Sequence, residues 1–251
     1  MRKGDLVLLL LALLILLVGV FLILVPSINE YRQKAQSEQA VSTFLQENHP
    51  QAAEPVEEAM PETDGIEEET ETILRYPELF HAMQAYNAAI YKNGQVGLAD
   101  PWAYTSEVIN LSAYGLKDDA IAVLEIPEMD LREPVYLGAT AAHLNSGIAQ
   151  LSISSMPIGG ENTNCVLAGH RGWDGALFFR HIDYLDVGDE VILTNLWQTL
   201  TYQVCEIKII QPYQAEEILI QTGRDLLTLI TCHPYGSGGK YRYVVICERV
   251  A

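Results

Sequence analysis

Basic residues are scarce in this chain. Its 251 residues carry 15 Lys and Arg against 33 Asp and Glu, a formal net charge of -18 at neutral pH. Phosphate binding needs clustered positive charge, so no nucleic acid partner is expected. The acidity suits a domain that its own surface charge keeps soluble and monomeric. Cysteine is sparse as well, with four residues: Cys165, Cys205, Cys232 and Cys247. None forms a Cys-x-x-Cys pair, and no Cys/His set has the spacing of zinc ligands. The acidic residues do not group into a ligand-spaced calcium loop. These patterns imply neither a metal nor a cofactor. Cys165, Cys205 and Cys247 lie inside apolar, strand-like runs, where free thiols serve as small hydrophobes. There is no internal repeat.

Long apolar runs are lacking too, with one exception. Leu6 to Val25 is unbroken over 20 residues. As a helix it spans roughly 30 Å, the thickness of a bilayer core. The apolar core of a cleaved signal peptide is shorter, about 7–15 residues. Arg2 and Lys3 precede the run and Glu30 follows it. The positive-inside rule then puts the N-terminus in the cytoplasm and the rest of the chain outside. The expectation is a single-pass anchor in the cell membrane carrying an extracellular domain.

Four regions follow in order. Residues 1–26 are a short cytoplasmic tip and the transmembrane anchor. Residues 27–73 are a juxtamembrane helical pattern followed by an acidic stretch rich in Glu, Pro and Thr. Glu47 to Thr72 has no basic residue. Such a stretch buries too little apolar surface to offset its ordering entropy, so it reads as a disordered stalk. Residues 74–118 begin with helical spacing over Pro77–Tyr91, with Leu79, Phe80, Met83, Tyr86 and Ile90 on one side. An irregular stretch containing Asp100-Pro101-Trp102 follows.

Residues 119–251 change texture. Ala120–Ile126, Arg132–Leu137, Asn164–Ala168, Glu190–Thr194, Leu200–Ile210, Leu226–Thr231 and Tyr241–Cys247 are rich in Val, Ile, Leu, Tyr and Thr. Turn residues such as Gly159-Gly160 and Gly236-Ser237-Gly238-Gly239 separate them. Short helical pieces fit at Ala141–Leu144, Ala176–Leu185 and Ala215–Ile218. Seven or eight short strands in this length predict a mainly β fold, a small closed barrel with short helices.

The sixth run ends on Cys232, and Pro234 cannot continue a central ladder. That places a thiol at a strand end, held rigidly and facing a rim. An unperturbed thiol is only a few per cent thiolate at neutral pH, and a nearby imidazolium or guanidinium favours the thiolate. His170 follows a strand in the glycine-flanked Gly169-His170-Arg171-Gly172. His143 falls on a helical face, and His181 follows Phe178-Phe179. His233 adjoins Cys232, so on a strand it points to the opposite face. Arg242 returns near Cys232 through the intervening loop and offers fixed donors to an oxyanion.

These residues are familiar as a set. Thr228-Leu229-Ile230-Thr231-Cys232 resembles the Thr-Leu-x-Thr-Cys signature of the sortases. Val166-Leu167-Ala168-Gly169-His170-Arg171-Gly172 is similar to their histidine motif, and Arg242 ahead of Tyr243-Val244-Val245 to their arginine motif. The resemblance implies a closed eight-stranded barrel and a cysteine transpeptidase with Cys232 as nucleophile, His170 as acid and base, and Arg242 as oxyanion donor. Leu229 and Thr231 are expected to contact substrate. Asp100-Pro101-Trp102 resembles the lid of class C, the pilus-assembling sortases, in which Asp100 would pair with Arg242 and Trp102 would cover Cys232. Class C members often carry a second, C-terminal span, and no second apolar run occurs here.

The implied substrate is a pilin or surface protein bearing a Leu-Pro-x-Thr-Gly (LPxTG) sorting signal. The implied acceptor is an amine, a pilin lysine or a lipid-linked wall precursor. Three rivals stand beside pilus assembly: a housekeeping sortase anchoring proteins to peptidoglycan, a plain cysteine protease, and a non-catalytic membrane-tethered binding module.

Overall fold

Eight strands close into a barrel in the computed structural model of the chain, which describes residues 3–49, 74–98, 108–116, 119–172 and 175–250. They are β1 (Ala120–Ile126), β2 (Leu131–Leu137), β3 (Ile148–Gln150), β4 (Thr163–Ala168), β5 (Glu190–Asn195), β6 (Thr199–Ile210), β7 (Asp225–His233) and β8 (Tyr241–Arg249). Their order around the barrel is β1-β2-β3-β4-β7-β8-β6-β5. Most neighbours are antiparallel. The pairs β2–β3 and β4–β7 are parallel.

Side chains alternate across a strand, and this sorts the wall β4-β7-β8 into two faces. Odd-numbered residues Cys165, Leu167, Leu227, Leu229, Val245 and Cys247 join the main apolar cluster, to which all eight strands contribute. On this wall the odd-numbered face is the one turned into the barrel lumen. Even-numbered Val166, Ala168, Leu226, Ile230, Val244 and Ile246 form a second cluster on the outer face. It is covered by Leu144 of the short helix α3 (Ala141–Ser146), by Leu151, and by Ile218 of the 3-10 turn Ala215–Ile218. Being apolar on both faces, these three strands read as continuous hydrophobic runs.

Seven strands lie where the sequence places them, and β3 is an addition. Three residues are too few for a visible alternation. The helix expected over Ala176–Leu185 does not form. Phe178 adopts a positive φ of 41°, which a right-handed helix cannot accommodate. The Phe179 amide donates to the carbonyl of His170 at 3.0 Å instead of to a helical partner. Only Ile182–Tyr184 makes a 3-10 turn.

Two long helices pack outside. The 46-residue α1 (Lys3–Asn48) buries Val41, Phe44 and Leu45 against the barrel, the i, i+3, i+4 stripe of an amphipathic helix. One turn earlier, the Ser37 hydroxyl donates to the Glu133 carboxylate at 2.6 Å. Helix α2 (Pro77–Lys92) starts with proline where its missing N–H costs nothing and buries Leu79, Met83, Asn87 and Ile90. The acidic segment, residues 50–73, lies outside the described residues. The chain on either side of it meets: Arg75 donates to the Glu47 carbonyl and to Asn48 Oδ1, and His49 Nε2 sits 2.6 Å from the Asn195 carbonyl. Among the described residues, no helix is long and apolar enough to cross a membrane.

Candidate active site

Cys232 lies one residue before the end of β7, whose ladder continues to His233 before Pro234 stops it. Its direct partner across the antiparallel pair is Arg242. The Arg242 guanidinium donates from Nη1 toward Cys232 Sγ at 3.9 Å. The same nitrogen donates to the Gly239 carbonyl at 2.7 Å and the Tyr241 carbonyl at 3.1 Å. Arg242 is buried at 4% exposure, and Cys232 is half-buried. The guanidinium is thus held by its own hairpin. Gly239 makes this possible. Its φ is 82°, and a Cβ there would come within 2.9 Å of Arg242 Nη1 and 3.0 Å of Cys232 Sγ.

His170 reaches the same rim by the parallel pair. Ala168 is beside Ile230, and two further residues along each strand are His170 and Cys232. Three hydrogen bonds fix that corner. The Gly169 amide donates to the Ile230 carbonyl at 3.3 Å, the Thr231 hydroxyl donates to the Gly169 carbonyl at 2.7 Å, and Phe179 holds the carbonyl of His170. Gly169 is also packed so tightly that a Cβ would meet Ile148 Cδ1 at 2.7 Å. Burial holds the His170 pKa below the ordinary histidine value. Cys232, His170 and Arg242 are even-numbered, so they extend the outer-face row of Val166–Ala168, Leu226–Ile230 and Val244.

The same alternation corrects the expected substrate contacts. Leu229 is fully buried in the lumen cluster. Thr231 is fully buried and its hydroxyl is committed to Gly169. Both face away from Cys232. Their place is in the support of the site, not in its substrate surface. Asp100 and Trp102 lie outside the described residues. The described chain nearest to them, Leu98, packs on the outer-face cluster that leads to Cys232. The other cysteines are set apart. Burial pushes the Cys165 and Cys247 thiols well up, in the lumen. Cys205 is half-buried, with Sγ 3.4 Å from Arg224 Nη2. His143 is structural, stacked on Tyr136 with Nδ1 2.8 Å from the Gly138 carbonyl.

One group beside the site was not visible in the sequence motifs. The Arg171 side chain is 6% exposed. Its Nη1 donates to His233 Nδ1 at 2.6 Å, and its Nη2 pairs with Asp183 at 3.0 Å. Its guanidinium lies 5.5 Å from the centre of the Tyr243 ring. Strand alternation is the signal that finds it, since Arg171, His233 and Tyr243 each follow a site residue by one.

A closed barrel presenting a thiol, an imidazole and a guanidinium at three adjoining strand ends defines a class of thiol-bearing β-barrels. A sortase-domain family model matches residues 124–250, half of the chain. The chain belongs to the sortase family. Among curated relatives, sortase D of Bacillus subtilis is 31% identical over 133 residues, covering 52% of this chain and 64% of that protein. Sortase A of Staphylococcus aureus is 31% identical over 122 residues, covering 47% of this chain and 58% of that protein. The match thus spans less than two thirds of each. Solved structures of similar fold include sortases C. That of Streptococcus pneumoniae has a TM-score of 0.63 at 34% identity, covering 70% of this chain and 88% of its own. Sortase C-1 of Actinomyces oris has a TM-score of 0.63 at 32% identity, covering 70% and 99%.

Proposed function

We propose that the protein is a cysteine transpeptidase that cleaves an LPxTG-like sorting signal and joins the new carboxyl end to an amine. The observation that carries this reading is the register pair Cys232–Arg242, with Nη1 3.9 Å from Sγ and His170 on the adjoining strand end. The Cys232 thiolate attacks the carbonyl carbon of the Thr–Gly bond. The guanidinium of Arg242, already anchored by two carbonyls, stabilises the oxyanion as it forms. The C–N bond then breaks and His170 delivers a proton to the leaving amine, which leaves a thioester on Cys232. An incoming amine loses its proton to His170, attacks the thioester and releases the thiolate.

Pilin lysine is the acceptor we favour, because solved structures of similar fold include sortases C and one is described in terms of pilin substrate specificity. The lid reading of Asp100 and Trp102 draws support from Leu98, which brings the chain onto the outer face just before them. Covering the thiol would favour amine over water. The membrane anchor belongs to the same proposal. Leu6–Val25 is apolar throughout, and Leu10, Leu14, Leu17 and Phe21 of α1 are exposed to solvent.

The test is a sorting-signal peptide offered with a pilin-domain amine, a wall-precursor amine, or water alone. Cys232→Ala is expected to lose both cleavage and joining. Retained joining would refute the assignment of the nucleophile. Preference for the wall-precursor amine would convert the reading to surface-protein anchoring, and turnover indifferent to amine would make the protein a protease. Trp102→Ala is expected to raise the rate of Cys232 alkylation several-fold, as removal of a covering ring should.

A further inference from the structure

The three residues Cys232, His170 and Arg242 have a second set behind them. Arg171, His233 and Tyr243 are their immediate C-terminal neighbours, one on each of the three strand ends. Alternation turns these neighbours to the opposite face, and there they touch one another. Arg171 Nη1 donates to His233 Nδ1 at 2.6 Å, its guanidinium lies over the Tyr243 ring at 5.5 Å, and the His233 and Tyr243 ring centres are 5.5 Å apart. We propose that Arg171 is a positioning residue, which clamps the end of β4 to the ends of β7 and β8 and so sets His170 against Cys232. The proposal rests on the transpeptidase reading of the front face.

Three features point to positioning and not merely to packing. First, nothing else in the described chain cross-links the residues that follow β4 to His233. The β4–β7 ladder stops at Ala168–Ile230, and beyond it Gly169 is tied to β7 by its own amide and by the Thr231 hydroxyl. Arg171 adds a further tie one residue beyond His170. Second, Arg171 is held from the far side as well. Its Nη2 pairs with Asp183 Oδ2 at 3.0 Å, on the 3-10 turn that follows Phe179, and Phe179 in turn holds the His170 carbonyl. The guanidinium therefore bridges both walls of the turn that carries His170. Third, the arrangement is poor as plain core. Arg171 Nε is buried and has no hydrogen-bond partner among the described residues. A site selected for stability alone seldom keeps a buried donor unpaired.

The clamp also has a defined chemical condition. His233 accepts at Nδ1, so that nitrogen must carry no proton. The groups facing this ring are Arg171, Asp183 and Tyr243. Burial and the Arg171 charge push His233 below the ordinary histidine pKa, while Asp183 pulls the other way. Protonating His233 puts a donor against a donor, and the clamp opens. Catalytic turnover should therefore fall at acid pH for a reason that lies behind the site.

The experiment compares four proteins: the wild type, Arg171→Lys, His233→Asn and His233→Ala. Each is assayed for transpeptidation of a sorting-signal peptide. Each is also alkylated with iodoacetamide across pH, with labelling at Cys232 read by peptide mass. Lysine keeps the charge but cannot reach His233 and Asp183 as a fork. Arg171→Lys is expected to lower kcat about 10²-fold with KM little changed, as a small misplacement of reacting groups does. It should also move the pH midpoint of Cys232 alkylation. Asparagine offers an acceptor that does not titrate. His233→Asn is expected to keep turnover within a few-fold of wild type and to flatten its acid loss, whereas His233→Ala loses turnover as Arg171→Lys does. Full kcat and an unmoved alkylation profile in Arg171→Lys would overturn the proposal. If that variant unfolds, the His233 pair decides: alanine performing as well as asparagine overturns it. A wild type that transfers no peptide counts against the transpeptidase reading, whereas an alkylation midpoint that does not move in Arg171→Lys counts against the clamp.

Discussion

The parallel pair β4–β7 is polar at both ends, and the two ends are built differently. At the start, Asp225 takes the Gly160 amide at 2.8 Å and the Tyr202 hydroxyl at 3.2 Å, with Arg249 Nη1 3.8 Å away. The carboxylate is surrounded by donors and its work is to close the barrel. At the finish, a thiol, a desolvated imidazole and a guanidinium meet on one face, and a buried arginine with an unpaired N–H sits on the other. One end has its polar groups matched. The other gathers a thiol, an imidazole and a guanidinium that a substrate can reach at the rim. The difference separates residues that hold the fold from residues that use it.

The largest effect expected is a double dissociation between these ends. Cys232→Ala should remove transpeptidation altogether and leave the urea midpoint within experimental error of wild type. Asp225→Ala should leave the Gly160 amide and the Tyr202 hydroxyl without their acceptor, at a cost of about 2–4 kcal/mol in urea unfolding. Turnover per folded molecule should stay within a few-fold. An Asp225 variant that lost turnover while fully folded would show that the two ends are not independent.

Much of this was legible in the sequence, for physical reasons. Strands β4, β7 and β8 are buried on both faces, so Asn164–Ala168, Leu226–Thr231 and Tyr241–Cys247 stand out as apolar runs without needing alternation. The motif around Cys232 then named the rim. What alternation alone decides was harder. The step that turns His233 away from Cys232 turns Thr231 and Leu229 away too, and the clamp of Arg171, His233 and Tyr243 is that step taken three times. Strand β3 could not be seen, because Ile148–Gln150 exists only through its parallel pairing with β2 and its antiparallel pairing with β4. The segment Ala176–Leu185 has helical spacing, but the carbonyl of His170 competes for its Phe179 amide and wins. Helix α1 had the right stripe at Val41, Phe44 and Leu45, yet nothing local says that the stripe faces a barrel formed 80 residues later (roughly, from the strand order).

A smaller effect sharpens the comparison at the site end. Burial lowers the His170 pKa. The acid limb of kcat/KM in the free enzyme should therefore fall below about 6.5, the ordinary histidine value. The limb should be read in His233→Asn, where the clamp does not titrate. A limb at or above that value would mean that another group controls protonation, and it would reopen the choice of His170.

The smallest effect lies where α1 docks on β2, away from both ends. Burial pushes the Glu133 carboxyl up to about 7, against the Ser37 hydroxyl bond that favours the anion. The folded state thus prefers protonated Glu133, while an unfolded chain ionises it near 4.3. Between those two values the native state binds more protons, so stability falls as pH rises through the window from about 4.5 to 7 and levels off above it. The slope is bounded by about 1.4 kcal/mol per pH unit for one proton. Glu133→Gln keeps an acceptor for Ser37 and removes the titration. It should flatten the pH dependence of unfolding over that window while leaving Cys232 alkylation unchanged. If the flattening were accompanied by altered alkylation, the helix that carries the apolar run would be coupled to the rim, and the separation between supporting and reacting regions would have to be redrawn to include α1.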